Sequence, residues 1–470
     1  MSAPGPVAPR EVAEAAILAL MRAEGLPEPA ITAFLRAYGR LREGESGLIP
    51  ESAIEPVTDL PDAEWLSPAL AAIGHEALAR TVVIKLNGGL GTSMGLDRAK
   101  SLLTVKEGLS FLDIIARQAL AGPAPLVLMN SFATRADSLT VLARYPGLGR
   151  GLPFDFVQHK VPKIWVENLM PASWPADPEL AWCPPGHGDL YTALVTSGLL
   201  AQMLERGFAY AFVSNADNLG AVLEPVLLGY FVQRGLPFLM EVADRTPADR
   251  KGGHLARRRE GGLILREAAQ CPPEDEAAFQ DITRHRYFNT NNLWLDLRAL
   301  AARLAATEGA LDLPLIRNRK PIDPRDRSSP AVYQLETAMG AAIAAFPGAE
   351  AIRVPRHRFA PVKTTNDLLA VRSDAYVLTD DYRVVLNPVR PWPTPPVIEL
   401  DPRFYALIDD FERRFPHGPP SLVACRRLRV VGDLRFGRGM VLRDEVELAH
   451  PGPEPYHLPD GAVLTGRVSL

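Results

Sequence analysis

A chain of 470 residues is too long for one ordinary core, so two or three packing units around one large domain are expected. An apolar fraction of 47% with 23% charged residues excludes a largely disordered or fibrous chain, and a net charge of -4 excludes a general basic field for nucleic acid. Cys183, Cys271 and Cys425 stand far apart with no CxxC pair, which reads as ordinary reduced thiols.

Met1 to Arg10 carries no charged leader followed by an apolar stretch, and no later apolar run approaches the length of a bilayer; a cytoplasmic chain without membrane contact is expected. An Ala-rich helix is predicted around Val12 to Met21. After the Gly25-Leu26-Pro27 break, Ile31, Phe34, Leu35, Tyr38 and Leu41 recur at helical spacing, giving a second helix of an N-terminal cap. From Thr81 the pattern changes, and Val82, Val83 and Ile84 form a β-branched run that stops at a glycine-rich turn, as a strand buried in a parallel sheet would. Similar runs at Leu126 to Met129, Tyr210 to Val213 and Phe238 to Val242 alternate with helix-like stretches at Phe111 to Leu120 and Thr192 to Leu204. That alternation predicts an α/β fold with a mostly parallel sheet, in which ligands bind beyond the carboxyl ends of the strands. Arg257-Arg258-Arg259 is short enough to be a solvated loop. The crossing through Pro388, Pro391, Pro393, Pro395 and Pro396 should hold no regular structure. A helix over Phe404 to Phe415 and short β-like steps from Leu428 to Leu448, broken by Gly432, Gly437 and Gly439, suggest a small β-solenoid. Three units are therefore expected: an N-terminal helical segment over 1–78, a catalytic domain over 79–375, and a linker, helix and solenoid over 376–470.

The segment from Leu86 to Gly95 directly follows the first buried strand and reads Leu-Asn-Gly-Gly-Leu-Gly-Thr-Ser-Met-Gly. Glycines let successive backbone N–H groups turn toward an anion and let phosphate oxygens approach where a β-carbon would block them. The loop fits neither GxxxxGK[ST] nor GxGxxG, since Met94 holds the last glycine's place, which argues against a P-loop NTPase and a standard dehydrogenase. Taken alone it is also a tight turn between strand and helix. Lys100 tips the balance, because a lysine shortly after such a loop can fold back over bound phosphates.

These residues, with Lys100-Ser101, resemble the nucleotide-binding loop of the UTP-glucose-1-phosphate uridylyltransferase family. The likeness continues through Leu128 to Phe132, Pro184 to Asp189, Ser214 to Leu219, Phe288 to Trp294, Gln334 to Ala338 and Pro361 to Thr365, so it spans almost the whole chain. It implies a Rossmann-like, GT-A-like nucleotidyltransferase domain with a mostly parallel or mixed sheet and a small C-terminal left-handed β-helix-like domain. It also implies UTP and glucose 1-phosphate as substrates, with UDP-glucose and pyrophosphate as products. In many relatives a longer solenoid tail mediates assembly; this chain stops at Leu470, so a homo-oligomer through that domain stays open.

The resemblance assigns nucleotide contacts to Leu86, Asn87, Gly88, Gly89, Gly91, Thr92, Met129, Gln158, Gly186 and Asn215. It assigns sugar-phosphate contacts to His187, Asn215, Glu267, Asn289, Asn291 and Lys363. Lys100, Lys363 and Asp217 are expected to be catalytic. Asp217, at the end of the Ala211-Phe212-Val213 run, is the expected magnesium ligand, because that ion prefers one or two carboxylates plus phosphate oxygens and water. The attacking sugar phosphate is already ionised at neutral pH, so charge neutralisation and alignment are needed and a general base is not. Two neighbouring readings remain: a UDP-sugar pyrophosphorylase of broader or N-acetylhexosamine specificity, and a UDP-sugar sensor without turnover. The N-acetylhexosamine type carries Thr-Arg-Leu-Gly where this chain has Thr92-Ser93-Met94-Gly95, and a sensor has little use for charges at the reacting phosphates.

Overall fold

The computed structural model describes residues 7–470; the first six residues, which open both the expected N-terminal segment and the Met1–Arg10 stretch, lie outside the described residues. The strand before the glycine-rich loop, Thr81–Asn87, lies within a ten-stranded sheet. Its order is Ile54–Pro56, His254–Arg258, Tyr287–Asp296, Tyr210–Asn215, Thr81–Asn87, Leu126–Asn130, Asp155–Val157. Thr81–Asn87 runs parallel to both neighbours, and Asp155–Val157 extends the parallel half. Tyr287–Asp296 is antiparallel to Tyr210–Asn215 and also to Phe238–Asp244, which carries Glu350–Arg353 in parallel on its other side. The sheet is thus mixed, with a parallel half that holds the loop.

Side chains alternate across the sheet as the pleat requires. Leu126 and Leu128 enter one hydrophobic cluster, while Val127 and Met129 enter another. The second of these is covered by residues of the helices Leu190–Thr196, Leu199–Glu205 and Leu297–Ala306. The expected helix over Thr192 to Leu204 is broken at Gly198, whose φ of 73° starts a new helix. The arginine run expected in a loop begins inside the strand His254–Arg258, where Arg257 pairs in register with Glu55 and keeps its side chain in solvent.

Helices Arg10–Ala23 and Glu28–Arg42 form the N-terminal cap, with Ile17, Met21, Phe34 and Tyr38 inside. Residues 388–396 hold no helix or strand. Beyond them, Val397–Leu400, Cys425–Val431, Val441–Ala449 and Val463–Ser469 pair in parallel in chain order, and Leu434–Arg435 pairs in parallel with Tyr456–His457. The expected helix over Phe404 to Phe415 is two short ones, Pro402–Tyr405 and Ile408–Arg414, because Leu407 between them is extended. Leu428, Val430 and Leu448 share one cluster with Leu126, Leu128, Phe111 and Leu368 from before the proline crossing. The Asp374 carboxylate adds a polar clasp, accepting from Ser421 Oγ and from the Leu422 and Val423 N–H groups at 2.5 to 2.9 Å. Among the described residues, no helix is long and apolar enough to cross a membrane.

Candidate active site

Beyond Asn87 the chain turns through four residues, makes the tight turn Thr92–Met94, and returns so that Leu90 bridges Ala99 and the Lys100 N–H donates to Gly89 O at 3.2 Å. Gly95 closes the turn at φ 75°, a backbone state that glycine adopts without strain. Gly89 and Thr92 are exposed, Leu86 and Gly88 half-buried, and Gly91 packs against Leu96. The Asn87 side chain points inward instead. Its Nδ2 donates to Asn130 Oδ1 and Ser138 Oγ, both at 2.7 Å, and Asn130 Nδ2 donates to Asp155 Oδ2 at 3.0 Å. Three neighbouring strand ends are thereby tied together, and the Asn87 amide nitrogen is committed to that network. Met129 is 2% exposed and its side chain is part of the core. Gln158 leans on the loop: a β-carbon on Gly88 would sit 2.9 Å from its Nε2.

The charged centre forms where two parallel strands end side by side. Asn215 is in register with Leu86, and the Ala216 N–H donates to Leu86 O at 3.0 Å. Two residues on, Asp217 Oδ2 accepts from Lys100 Nζ at 2.7 Å. The Val362 N–H donates to Asp217 O at 3.2 Å, which brings the 358–363 segment alongside. Lys363 itself is exposed, with its ammonium 5.5 Å from the Phe359 ring centre and 5.8 Å from that of Phe288, within cation–π range.

Glu267 follows the strand Leu263–Arg266, which pairs with His254–Arg258, and lies within range of the Lys363 charge. Gly253 leaves room for its carboxylate, since a β-carbon there would lie 2.5 Å from Oε2. Burial pushes this carboxyl up from 4.5 to about 6, with the Lys363 charge opposing the shift. Folded protein therefore binds this proton more tightly than unfolded protein does. The contribution of this group to stability is most favourable below pH 4.5, falls as pH rises to about 6, and carries the full penalty above that. A Glu267→Gln variant should gain on the wild type in urea midpoint across that window and keep a constant lead at higher pH. A difference that did not vary with pH would mean that Glu267 does not titrate there.

Asn289 and Asn291 lie at a bulge. Glu241 opposes Asn292 and Val242 opposes Asn289, so Thr290 and Asn291 are extra residues on their strand, and Asn291 has φ 58°. The Asn289 Oδ1 accepts from the Asn291 N–H at 2.9 Å while its Nδ2 donates to Asn291 Oδ1 at 2.8 Å, which fixes the bulge. The Thr290 hydroxyl donates to Glu241 O of the paired strand at 2.7 Å and anchors the bulge from its other side.

His187 lies in the loop between Gly186 and Gly188, and both glycines are required for close approach. A β-carbon on either would fall within 2.4 Å of Thr337 atoms, and Gly186 has φ 80°. The Met339 N–H donates to His187 Nδ1 at 3.0 Å, and burial lowers the imidazole to about 4. His187 is thus neutral at physiological pH with its remaining proton on Nε2, a hydrogen-bond donor rather than an acid or base.

Further residues, none of them among the expected site residues, organise this region. Asp189 accepts from the His159 N–H at 2.7 Å and from His159 Nδ1 at 2.8 Å, and Thr196 Oγ1 lies 3.0 Å from Nε2. This buried chain clamps the Gln158 segment to the His187 loop. Lys85 is fully enclosed, donating to Ser214 Oγ and Ala221 O at 2.7 Å; burial, reinforced by Arg358, pushes its ammonium down to about 7. A lysine inside a buried β-branched run, and a lone Glu241 in the apolar strand Phe238–Asp244, are in retrospect the visible traces.

For a metal, Asp217 supplies one partly exposed carboxylate beside the glycine-rich loop, and among the described residues no group of three or more His, Cys, Asp or Glu side chains could enclose an ion. The site fits an ion that completes its shell with substrate oxygens and water, the habit of magnesium.

The family described as UTP–glucose-1-phosphate uridylyltransferase matches residues 31–443. The proteins of that name from Solanum tuberosum and Hordeum vulgare are 39% and 40% identical over 445 residues, covering 92% of this chain and 91% and 92% of their own. A mutant UDP-glucose pyrophosphorylase from Leishmania major, solved in complex with UDP-glucose, superposes with a TM-score of 0.91 at 45% identity over 97% of this chain and 99% of its own. A UDP-glucose phosphorylase from Trypanosoma brucei gives 0.87 at 45% identity over 98% of this chain and 100% of its own.

Proposed function

This chain belongs to the UTP–glucose-1-phosphate uridylyltransferase family, and we infer that it is a nucleotidyltransferase that joins UTP to glucose 1-phosphate, releasing UDP-glucose and pyrophosphate. The observation that carries this is the Lys100–Asp217 contact at adjoining strand ends, below the returning glycine-rich loop and beside the segment bearing Lys363.

A phosphate oxygen of glucose 1-phosphate attacks the α-phosphorus of UTP, and the bond from that phosphorus to the bridging oxygen breaks as pyrophosphate leaves. No proton moves. Both reactants are polyanions, and two unit charges about 4 Å apart at an effective dielectric near 20 repel by ~4 kcal/mol. Lys100 faces the triphosphate and Lys363 the incoming phosphate, which offsets that repulsion. Asp217 would hold magnesium together with phosphate oxygens, and the bound ion would neutralise further charge. Gly88, Gly89, Gly91 and Thr92 contribute backbone donors to the phosphates; Leu86, Gln158, Gly186 and Asn215 line the nucleoside. His187, Asn289, Asn291 and Glu267 hold the sugar and its phosphate by hydrogen bonds.

We assign the parallel C-terminal coils to a small left-handed β-helix and the enzyme to the cytoplasm. The test is a panel of nucleoside triphosphates and sugar phosphates incubated with purified protein and magnesium. UTP with glucose 1-phosphate should release pyrophosphate fastest, and a chelator should stop it. UDP-glucose binding without pyrophosphate from any pair would instead mark a sensor.

A further inference from the structure

One buried ion pair lies outside the chemistry described so far. Glu241, fully buried, accepts from Arg358 Nε at 2.8 Å and from Arg358 Nη2 at 2.7 Å, and the Arg358 side chain is only 4% exposed. Trp294 Nε1 donates to Glu241 Oε1 at 2.9 Å and Asn292 Nδ2 to Oε2 at 3.0 Å, so each carboxylate oxygen accepts two donors. Such a pair loses a large hydration energy on burial and contributes little net stability, yet removal of one partner strands a charge. Its place in the fold therefore asks for another explanation.

Its connections lead to the site. The Arg358 carbonyl accepts from Asn218 Nδ2 at 3.0 Å and from Asn292 Nδ2 at 3.3 Å. The Ala360 N–H donates to Asn218 Oδ1 at 3.0 Å, Pro361 bridges Asn218, and the Val362 N–H donates to Asp217 O at 3.2 Å. Arg358 Nη2 also donates to Val222 O at 3.1 Å, beyond the same turn. Residues 358, 360 and 362 are thus each fastened to the turn that carries Asp217, and Lys363 is the next residue. The Lys363 ammonium, by contrast, meets aromatic faces, and among the described residues no carboxylate lies within ion-pair distance of it. Its reach is set by its backbone.

We propose that the Glu241–Arg358 pair is a positioning device that holds Lys363 in register with Asp217, with Asn218 and Asn292 passing its grip to the backbone. The same carboxylate accepts from Asn292 Nδ2, so Asn292 is held between Glu241 and the Arg358 carbonyl and the strap leading to Lys363 is fixed from both sides. This rests on the reaction assigned above.

The test is a double-mutant cycle in the full-length enzyme. Glu241→Gln keeps the shape but turns an amide N–H toward the guanidinium. It should lower kcat by about 10²-fold, the order expected when a reacting group is misplaced by ~1 Å. In a Lys363→Ala background, already slow, the same change should lower kcat by less than about threefold, because the residue it positions is gone. Should Glu241→Gln fail to fold, Asn218→Ala leaves the ion pair intact and cuts the ties to residues 358 and 360; it should show the same dependence on Lys363. Equal fold losses in both backgrounds, or full activity of Asn218→Ala, would overturn the proposal. Pyrophosphate release by the wild type tests the reaction separately, so the two can fail independently.

Discussion

A Lys100→Ala enzyme should fold normally and turn over ~10²-fold or more slowly than the wild type, the scale on which loss of one preorganised charge acts. Lys100 comes to lie against the glycine-rich loop because the loop doubles back, its N–H pinned to Gly89 O and Ala99 bridged to Leu90. In the structure its ammonium rests on Asp217 at 2.7 Å, with both side chains partly open to solvent, 17% and 23% exposed. A pair so placed adds about 0–1 kcal/mol to stability, so its loss should leave the melting temperature nearly unchanged. The effect belongs in kcat, because charge builds on the departing pyrophosphate as the α-phosphorus is attacked. Steady-state kinetics beside a thermal melt decide the matter: unchanged turnover in a folded variant would remove Lys100 from the chemistry.

Lys363→Ala should lower kcat/KM for glucose 1-phosphate by roughly 10²- to 10³-fold while UTP binding changes little. The upper figure follows from ~4 kcal/mol for one charge pair near 4 Å, with about 1.4 kcal/mol per tenfold change in rate. Lys363→Arg should recover only part of the loss, since a guanidinium keeps the charge and can lie over the Phe288 and Phe359 faces but presents a wide planar fork where the ammonium is a compact point charge. Titration of UTP by calorimetry separates the two substrates. A comparable fall in UTP affinity would put Lys363 on the nucleotide rather than on the sugar phosphate.

The parallel half of the sheet is legible in the sequence because strands buried on both faces are short apolar runs, and Leu126 to Met129 and Tyr210 to Val213 are little else. Tyr287–Asp296 is not legible as a strand. Asn289, Asn291 and Asn292 have the composition of a turn, and they are tolerated in a sheet only because Glu241 and the Arg358 carbonyl satisfy Asn292 while a bulge takes up Thr290 and Asn291. Lys100, Lys363 and Asp217, the proposed site charges, stand out through local motifs. Glu241 and Arg358, 117 residues apart, leave no local pattern because their pairing exists only in the assembled sheet. Asn87 and Met129 lie within recognisable motifs yet turn their side chains into the interior, a choice governed by strand pleat and neighbouring amides that no linear spacing encodes.

The cluster joining Leu126, Leu128 and Phe111 to Leu428, Val430 and Leu448 ties the order of synthesis to solubility. A ribosome delivers the sheet strand long before the coils that help to dry it, so a nascent chain reaching only as far as the proline crossing has bare leucines where the finished enzyme has a seam. Chaperones should find their longest engagement with intermediates of that length, and a gene fragment ending there should yield inclusion bodies instead of a minimal catalytic unit.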